Sequence, residues 1–137
     1  DGPRHRKRHP VLPGRMILGL GCDLCAISRM EKIMADGRFL HRYFTEGERA
    51  YIAARARGAQ TAAGIFAAKE ALVKALGTGF GSLAPADVEI THDASGAPAY
   101  LINEKTRSAL QARGAQSAFL SVTHDGDYAM ATAILEG

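Results

Sequence analysis

Within residues 64–79 (Gly-Ile-Phe-Ala-Ala-Lys-Glu-Ala-Leu-Val-Lys-Ala-Leu-Gly-Thr-Gly), Glu70 and Lys74 are spaced to act together. Four residues apart on a helix, they project from the same side, one turn from each other. Glu70 shares a stripe with Phe66 and Val73, which sets a carboxylate among apolar side chains. Alone, this is a surface Glu–Lys pair contributing ~0.2–0.5 kcal/mol; chemistry requires partners from elsewhere. Asp23 is one candidate. It stands at the exit of an apolar strand, where it either caps the next helix or reaches a cation at the rim of a sheet. His124 is another, at a strand end beside an Asp-Gly turn, where ligand-binding residues are often displayed and where an ordinary turn histidine also fits. Gly77, Gly79 and Gly81 form a loop whose backbone could closely approach a ligand. That loop lies at the wrong end of the helix for a P-loop and lacks the Walker spacing.

Cys22 and Cys25 superficially match a zinc or redox half-site. Zinc would need two more ligands, and the next histidine, His41, is far along the chain. The favoured reading is two reduced thiols in a cytoplasmic protein.

These residues need elements to hold them. Residues 16–24 read as a short buried strand ended by Asp23, with Gly19 and Gly21 allowing another backbone to come close. Residues 27–34 form a short amphipathic helix, and residues 38–44 a second helical piece. Thr45 and Glu48 have the capping-box form and open a helix running to about Arg57, which Gly58 closes. The central helix begins near Gln60 or Thr61, buries Ile65, Ala68, Leu72 and Leu76, and stops at Gly77. The period then changes from 3.6 to 2. Strands at 87–91 and 98–102 make a hairpin, a helix spans 104–113, and strands at 117–123 and 128–135 join through His124-Asp125-Gly126-Asp127.

The length of 137 residues predicts one domain with a core of its own. No run approaches the ~18 apolar residues of a membrane span, and nothing resembles a signal peptide. The net charge of +3 misleads: residues 1–15 hold five basic residues against Asp1, a net of +4, while the remainder nets −1 from 12 basic and 13 acidic residues. That aperiodic stretch reads as a disordered basic tail or a foreign remnant, because Met16 opens the first patterned segment and looks like a natural start. Nucleic-acid binding by the tail is the lesser reading. Between Arg29 and Arg57, seven basic residues oppose four acidic ones, which fits a solvated helical surface or a docking face for an acidic protein.

Three separated segments then combine. Gly-Leu-Gly-Cys-Asp-Leu at 19–24, Phe-Ala-Ala-Lys-Glu-Ala-Leu-Val-Lys-Ala-Leu-Gly-Thr-Gly at 66–79 and Leu-Ser-Val-Thr-His-Asp at 120–125 strongly resemble the holo-acyl-carrier-protein synthases, the small bacterial phosphopantetheinyl transferases. Residues 38–48 and Ser95-Gly96-Ala97-Pro98 also fit that pattern, so the resemblance spans about residues 16–135. It implies an α+β fold: a single compact domain, residues 16–137, with a small antiparallel sheet packed on a long central helix and shorter helices. It implies transfer of phosphopantetheine from coenzyme A to a serine hydroxyl of apo-acyl carrier protein, supporting fatty acid biosynthesis and releasing adenosine 3',5'-bisphosphate. Asp23 and Glu70 match the family's magnesium ligands, Lys74 its lysine at the phosphates, and His124 the histidine near the bound coenzyme; Gly77 and Gly79 fall in the loop beside it. The resemblance further implies a homotrimer with interfacial active sites, in which Arg29, with Arg38 and Arg42 as weaker candidates, docks the carrier.

The chemistry suits the residues. Displacement at a pyrophosphate needs charge neutralisation more than covalent help, and magnesium takes one or two carboxylates plus water and phosphate oxygens. The base is Glu70 or a metal-bound water held by Asp23 and Glu70; both stay open. The competing readings are a non-catalytic coenzyme A or nucleotide-binding module, a tail-driven nucleic-acid binder, and another magnesium-dependent enzyme such as a pyrophosphate hydrolase.

Overall fold

The computed structural model of the protein describes residues 15–81 and 83–137. Of the basic stretch at residues 1–15, all but Arg15 lies outside them. The chain runs β1 (Ile17–Ala26), α1 (Ile27–Met34), α2 (Gly37–Tyr43), α3 (Glu46–Ala54), α4 (Gly58–Leu76), a 3₁₀ turn at Pro85–Asp87, β2 (Glu89–His92), β3 (Pro98–Leu101), α5 (Glu104–Ala112), β4 (Ser117–Asp125) and β5 (Tyr128–Glu136). The strands form an antiparallel sheet in the order β1-β5-β4 and a separate β2-β3 hairpin. This is the expected α+β arrangement, with α4 packed across the inner face of the three-stranded sheet.

Small side chains set that packing. Ala67, Ala68, Ala71 and Ala75 of α4 are buried, and so are Ala129, Ala131 and Ala133 of β5. Gly19 and Gly21 let the β1 backbone rest directly on α4. A Cβ on Gly21 would collide with the Ala71 carbonyl and stand 2.7 Å from the Ala75 nitrogen. Both obstacles are backbone, so neither can rotate away. Gly21→Ala is therefore expected to cost about 3 kcal/mol, the upper end of overpacking penalties, read as a lowered midpoint in a thermal or denaturant melt. A midpoint equal to wild type would show that β1 and α4 do not meet in this way.

Several boundaries differ from the sequence reading. Gly58 does not close α3, which ends at Ala54; it is the first residue of α4, two to three residues earlier than expected. Strand β1 continues past Asp23 to Ala26, because its pairing with β5 persists to Ala26↔Tyr128. Asp23 therefore neither ends the strand nor caps α1. The cap comes from the β4–β5 turn: Asp127 accepts hydrogen bonds from the Ser28 amide (3.0 Å) and hydroxyl (2.6 Å), and its carbonyl accepts from the Ile27 amide at 2.7 Å. The Thr45–Glu48 capping box forms as expected.

Behind α4 lies an ion pair that spacing did not reveal. Lys69 Nζ sits 2.7 Å from Glu48 Oε1, with both side chains fully buried. Lys69 also donates to the carbonyls of Pro85 (2.7 Å) and Val88 (2.6 Å), while Glu48 Oε2 accepts from the Ile90 amide at 2.8 Å. Burial lowers the Lys69 pKa, and the Glu48 carboxylate opposes that shift. One pair thus joins α3, α4 and the start of β2.

Candidate active site

Alternation along β1 turns Gly21, Asp23 and Cys25 towards α4 and leaves Leu20, Cys22 and Leu24 on the opposite face. Cys22 and Cys25 are free thiols on opposite faces of one strand. Gly19 rests on Ala75 and Gly21 on Ala71, so β1 runs antiparallel to α4, and the long Lys74 side chain reaches back towards the helix start to meet the next inward residue, Asp23. Asp23 Oδ1 lies 2.9 Å from Lys74 Nζ, which also donates to the Cys22 carbonyl at 3.1 Å. The surface Glu70–Lys74 pair that spacing alone allows is not made; Lys74 pairs with Asp23. The hydrogen bond to Asp23, and then its charge, raise the Lys74 pKa, with Glu70 adding to the effect. Lys74 is therefore a fixed ammonium, half exposed to solvent beside a carboxylate that is 14% exposed.

Glu70 is half-buried one turn earlier, and its Oε1 accepts a 2.7 Å hydrogen bond from the Tyr43 hydroxyl. Tyr43 had no place among the predicted site residues. Its pKa is raised by burial first, then by the bond to Glu70, and further by the charges of Glu70 and Asp23, so it remains a donor. The buried Cys25 thiol is raised by burial first, then by Asp23, while Arg29 opposes and Glu70 adds. Asp23, Glu70 and Lys74 thus share one electrostatic neighbourhood, with Arg29 of α1 at its border. Gly77 caps α4 in the left-handed region (φ 74°) and Gly79 follows at φ 65°. Phe80 of the same loop packs edge-on against Tyr43, with ring centroids 6.4 Å apart.

Among the described residues, no group of three or more histidine, cysteine or acidic side chains could hold a metal. Asp23 and Glu70 offer two hard carboxylates. That suits magnesium, which leaves the rest of its shell to water and phosphate oxygens, better than zinc in a closed protein site.

His124 lies elsewhere. It pairs with Ala129, which in turn pairs with Cys25, so His124 and Cys25 occupy one row of the inner face two strand spacings apart, about 10 Å. Helix α4 runs between them, and Gly64 leaves room for the imidazole: a Cβ there would sit 3.1 Å from His124 Nε2. His124 lines a cleft of about 310 Å³ with Tyr51, Arg55, Thr61, His92 and Pro98. In it, His92 stacks on Tyr51 with centroids 3.9 Å apart, Arg55 lies 5.3 Å from the Tyr51 ring, and burial followed by the Arg55 charge lowers the His92 pKa. Sequence reasoning counted Arg55 only among the charges of a solvated surface or docking face and passed over Tyr51 and His92; His124 and the adjacent Ser95–Pro98 segment were the signals pointing there. Arg38 and Arg42 line a second cleft, of about 510 Å³, together with Phe39, Tyr43 and Pro85.

An acidic pair beside a lysine at a strand–helix contact, with a basic rim, is an arrangement that phosphoryl-type transfer can use. Residues 19–133 match the 4'-phosphopantetheinyl transferase superfamily, and the chain belongs to that family. A curated relative, the holo-[acyl-carrier-protein] synthase of Myxococcus xanthus (strain DK1622), is 44% identical over 123 residues, covering 88% of this chain and 95% of the relative. The crystal structure of holo-[acyl-carrier-protein] synthase from Neisseria meningitidis superposes with a TM-score of 0.82 at 29% identity, covering 89% of this chain and all of that one. The enzyme from Bacillus anthracis, solved in complex with CoA (3',5'-ADP), gives a TM-score of 0.73 at 33% identity over 88% of this chain and 97% of that one.

Proposed function

We propose that this protein transfers phosphopantetheine from coenzyme A to a serine hydroxyl of apo-acyl carrier protein, in support of fatty acid synthesis. The observation that carries the reading is the Asp23–Lys74 pair between β1 and α4, within the electrostatic reach of Glu70 one turn earlier, in a chain whose relatives are holo-acyl-carrier-protein synthases. In the reaction the serine oxygen forms a bond to the phosphorus on the pantetheine side of the pyrophosphate. The bond from that phosphorus to the bridging oxygen breaks, and adenosine 3',5'-bisphosphate leaves with the electron pair. Lys74, held protonated by Asp23, offsets charge growing on the leaving phosphate. The serine proton needs an acceptor within hydrogen-bond reach. Glu70 suits that role better than Asp23, since Asp23 is engaged by the lysine whereas Glu70 accepts from a neutral hydroxyl. Asp23 and Glu70 would also hold the magnesium ion that the resemblance implies. When bound, that ion neutralises pyrophosphate charge.

The assembly follows the same logic. The outer face of the three-stranded sheet exposes Leu20 (66%), Leu24 (60%) and Phe119 (53%), an apolar surface suited to burial against further copies. The Asp23 cluster and the His124 cleft stand apart on one chain. In the homotrimer we infer, a neighbour's His124 cleft, with Arg55, faces the Asp23 cluster and takes the nucleotide end of coenzyme A. Two free thiols fit a reducing compartment such as the cytoplasm, and among the described residues no helix is long and apolar enough to cross a membrane. Residues 16–137 constitute the transferase domain in this reading.

Arg29, Arg38 and Arg42 are all exposed and would receive the acidic carrier. Arg29→Glu is expected to raise KM for the carrier several-fold at low salt and to leave coenzyme A affinity unchanged, the difference shrinking as salt increases. An unchanged KM at low salt would remove Arg29 from the docking face. The transfer itself is tested by chromatography of adenosine 3',5'-bisphosphate. Its release is expected with apo-carrier and not with a carrier whose acceptor serine is replaced by alanine. Equal release without an acceptor would instead indicate a pyrophosphate hydrolase.

A further inference from the structure

We propose that Tyr43 is a positioning residue of the transfer site: its hydroxyl fixes the Glu70 carboxylate and ties it to α2. The inference rests on the assignment of Glu70 to that site. Tyr43 closes α2, and its hydroxyl donates to Glu70 Oε1 at 2.7 Å. Its ring is located by aromatic packing rather than by that bond. It stacks on Phe66 with centroids 4.7 Å apart and planes at 18°, and on Phe39 at 5.2 Å and 14°. Phe44 meets it edge-on at 5.5 Å, as does Phe80 at 6.4 Å.

Each of these neighbours ties the hydroxyl to a part of the site. Phe66 sits one turn before Glu70 on α4, so the stacked ring is in register with the helix that carries the carboxylate. Phe80 belongs to the glycine loop after α4. Phe39, with Arg38 and Arg42, lines the basic cleft of α2, and Tyr43 lines it as well. The same side chain therefore borders the surface offered to the carrier and holds the carboxylate beside Lys74. A free glutamate samples many rotamers, and a reacting group displaced by 1 Å can cost roughly 100-fold in rate. A donor on a locked ring restricts the glutamate to one arrangement and leaves its second oxygen available.

The hydroxyl has little to contribute to folding here, since the ring alone fills the aromatic cluster. That separates positioning from structure. Tyr43→Phe is expected to keep the melting temperature within about 2 °C and both KM values within about twofold, while kcat falls roughly tenfold, the effect of losing one hydrogen bond to a charged group. A second readout needs no turnover. The chain has no tryptophan and four tyrosines, so its emission reports tyrosine alone. A phenol bonded to a carboxylate is quenched, so Glu70→Ala should brighten emission in the wild-type background and not in Tyr43→Phe. The proposal is overturned if the wild type transfers and Tyr43→Phe does so with equal kcat, if the loss in kcat is matched by a large loss in melting temperature, or if Glu70→Ala brightens both backgrounds equally. Should the wild type transfer nothing, the functional reading fails, and the emission comparison still decides whether Tyr43 holds Glu70.

Discussion

Glu70→Gln is expected to lower kcat for phosphopantetheine transfer by roughly 10²–10³-fold, the usual scale for removing one electrostatic element from a transfer site. The substitution is close to isosteric. The amide oxygen can still accept from Tyr43, so the aromatic cluster and α4 should be undisturbed and the melting temperature nearly unchanged. What disappears is the negative charge, and with it both the proposed acceptor for the serine proton and a proposed hard ligand for magnesium. Asp23→Asn should be similarly deleterious by a different route. It removes the second carboxylate and releases Lys74, whose pKa is raised by that partner. Steady-state rates across a magnesium titration distinguish the two roles. A ligand defect is partly recovered at high magnesium, whereas loss of the proton acceptor is not. Wild-type rates for either variant in chelator-treated buffer would show that this cluster is not the transfer site.

The second large effect concerns stability. Lys69→Met is expected to destabilise the fold by about 3–5 kcal/mol, because it leaves Glu48 buried without its counter-charge. For a domain of this size that corresponds to a fall in melting temperature of roughly 10–15 °C. The carbonyls of Pro85 and Val88 lose a donor as well, so the change reaches the turn leading into β2. Methionine fits the volume but provides no hydrogen bond. Removing both charges with Lys69→Met and Glu48→Gln should recover part of the loss, since no isolated charge is then buried. A single variant as stable as wild type would mean that the pair is not buried as described.

Local pattern carried far in this chain. Periodicity identified the buried stripe of α4, Gly77 marked its end, and Gly19 and Gly21 announced the close approach that β1 makes. What the sequence could not display were contacts between distant residues. Asp23 was read as ending its strand because an acid after an apolar run suggests an exit. The strand continues because β5 keeps pairing with it, and the acid is accommodated by Lys74. The cap of α1 is contributed by Asp127, 99 residues from Ser28, beyond the reach of any capping pattern. Glu48 was legible as half of a capping box, but its second oxygen serves Ile90 and its charge serves Lys69, and neither partner is a neighbour in sequence. Gly58 was taken as a stop because glycine commonly follows a helix; here Arg55 already leaves helical geometry, and Gly58 starts the next one.

The site was legible unevenly for the same reason. Glu70 and Lys74 lie on one helix, and their spacing drew attention to that turn, but it could not show that Lys74 pairs with Asp23 and Glu70 with Tyr43. Tyr43 was hidden in an aromatic run that looks like core. His124 is exposed at the end of its strand, as its place beside the turn suggested, but α4 separates it from Asp23 on the same chain. A split of this kind becomes readable only once strand order and helix placement are known.

The central claim, that Asp23, Glu70 and Lys74 form a phosphopantetheine transfer site, is tested most directly by the intact mass of an apo-acyl carrier protein incubated with coenzyme A, magnesium and this protein. The expected result is a mass gain of one phosphopantetheine with the wild type, none when magnesium is chelated, and a gain slowed by orders of magnitude with Glu70→Gln. No gain with the wild type, or an equally fast gain with Glu70→Gln, would contradict it.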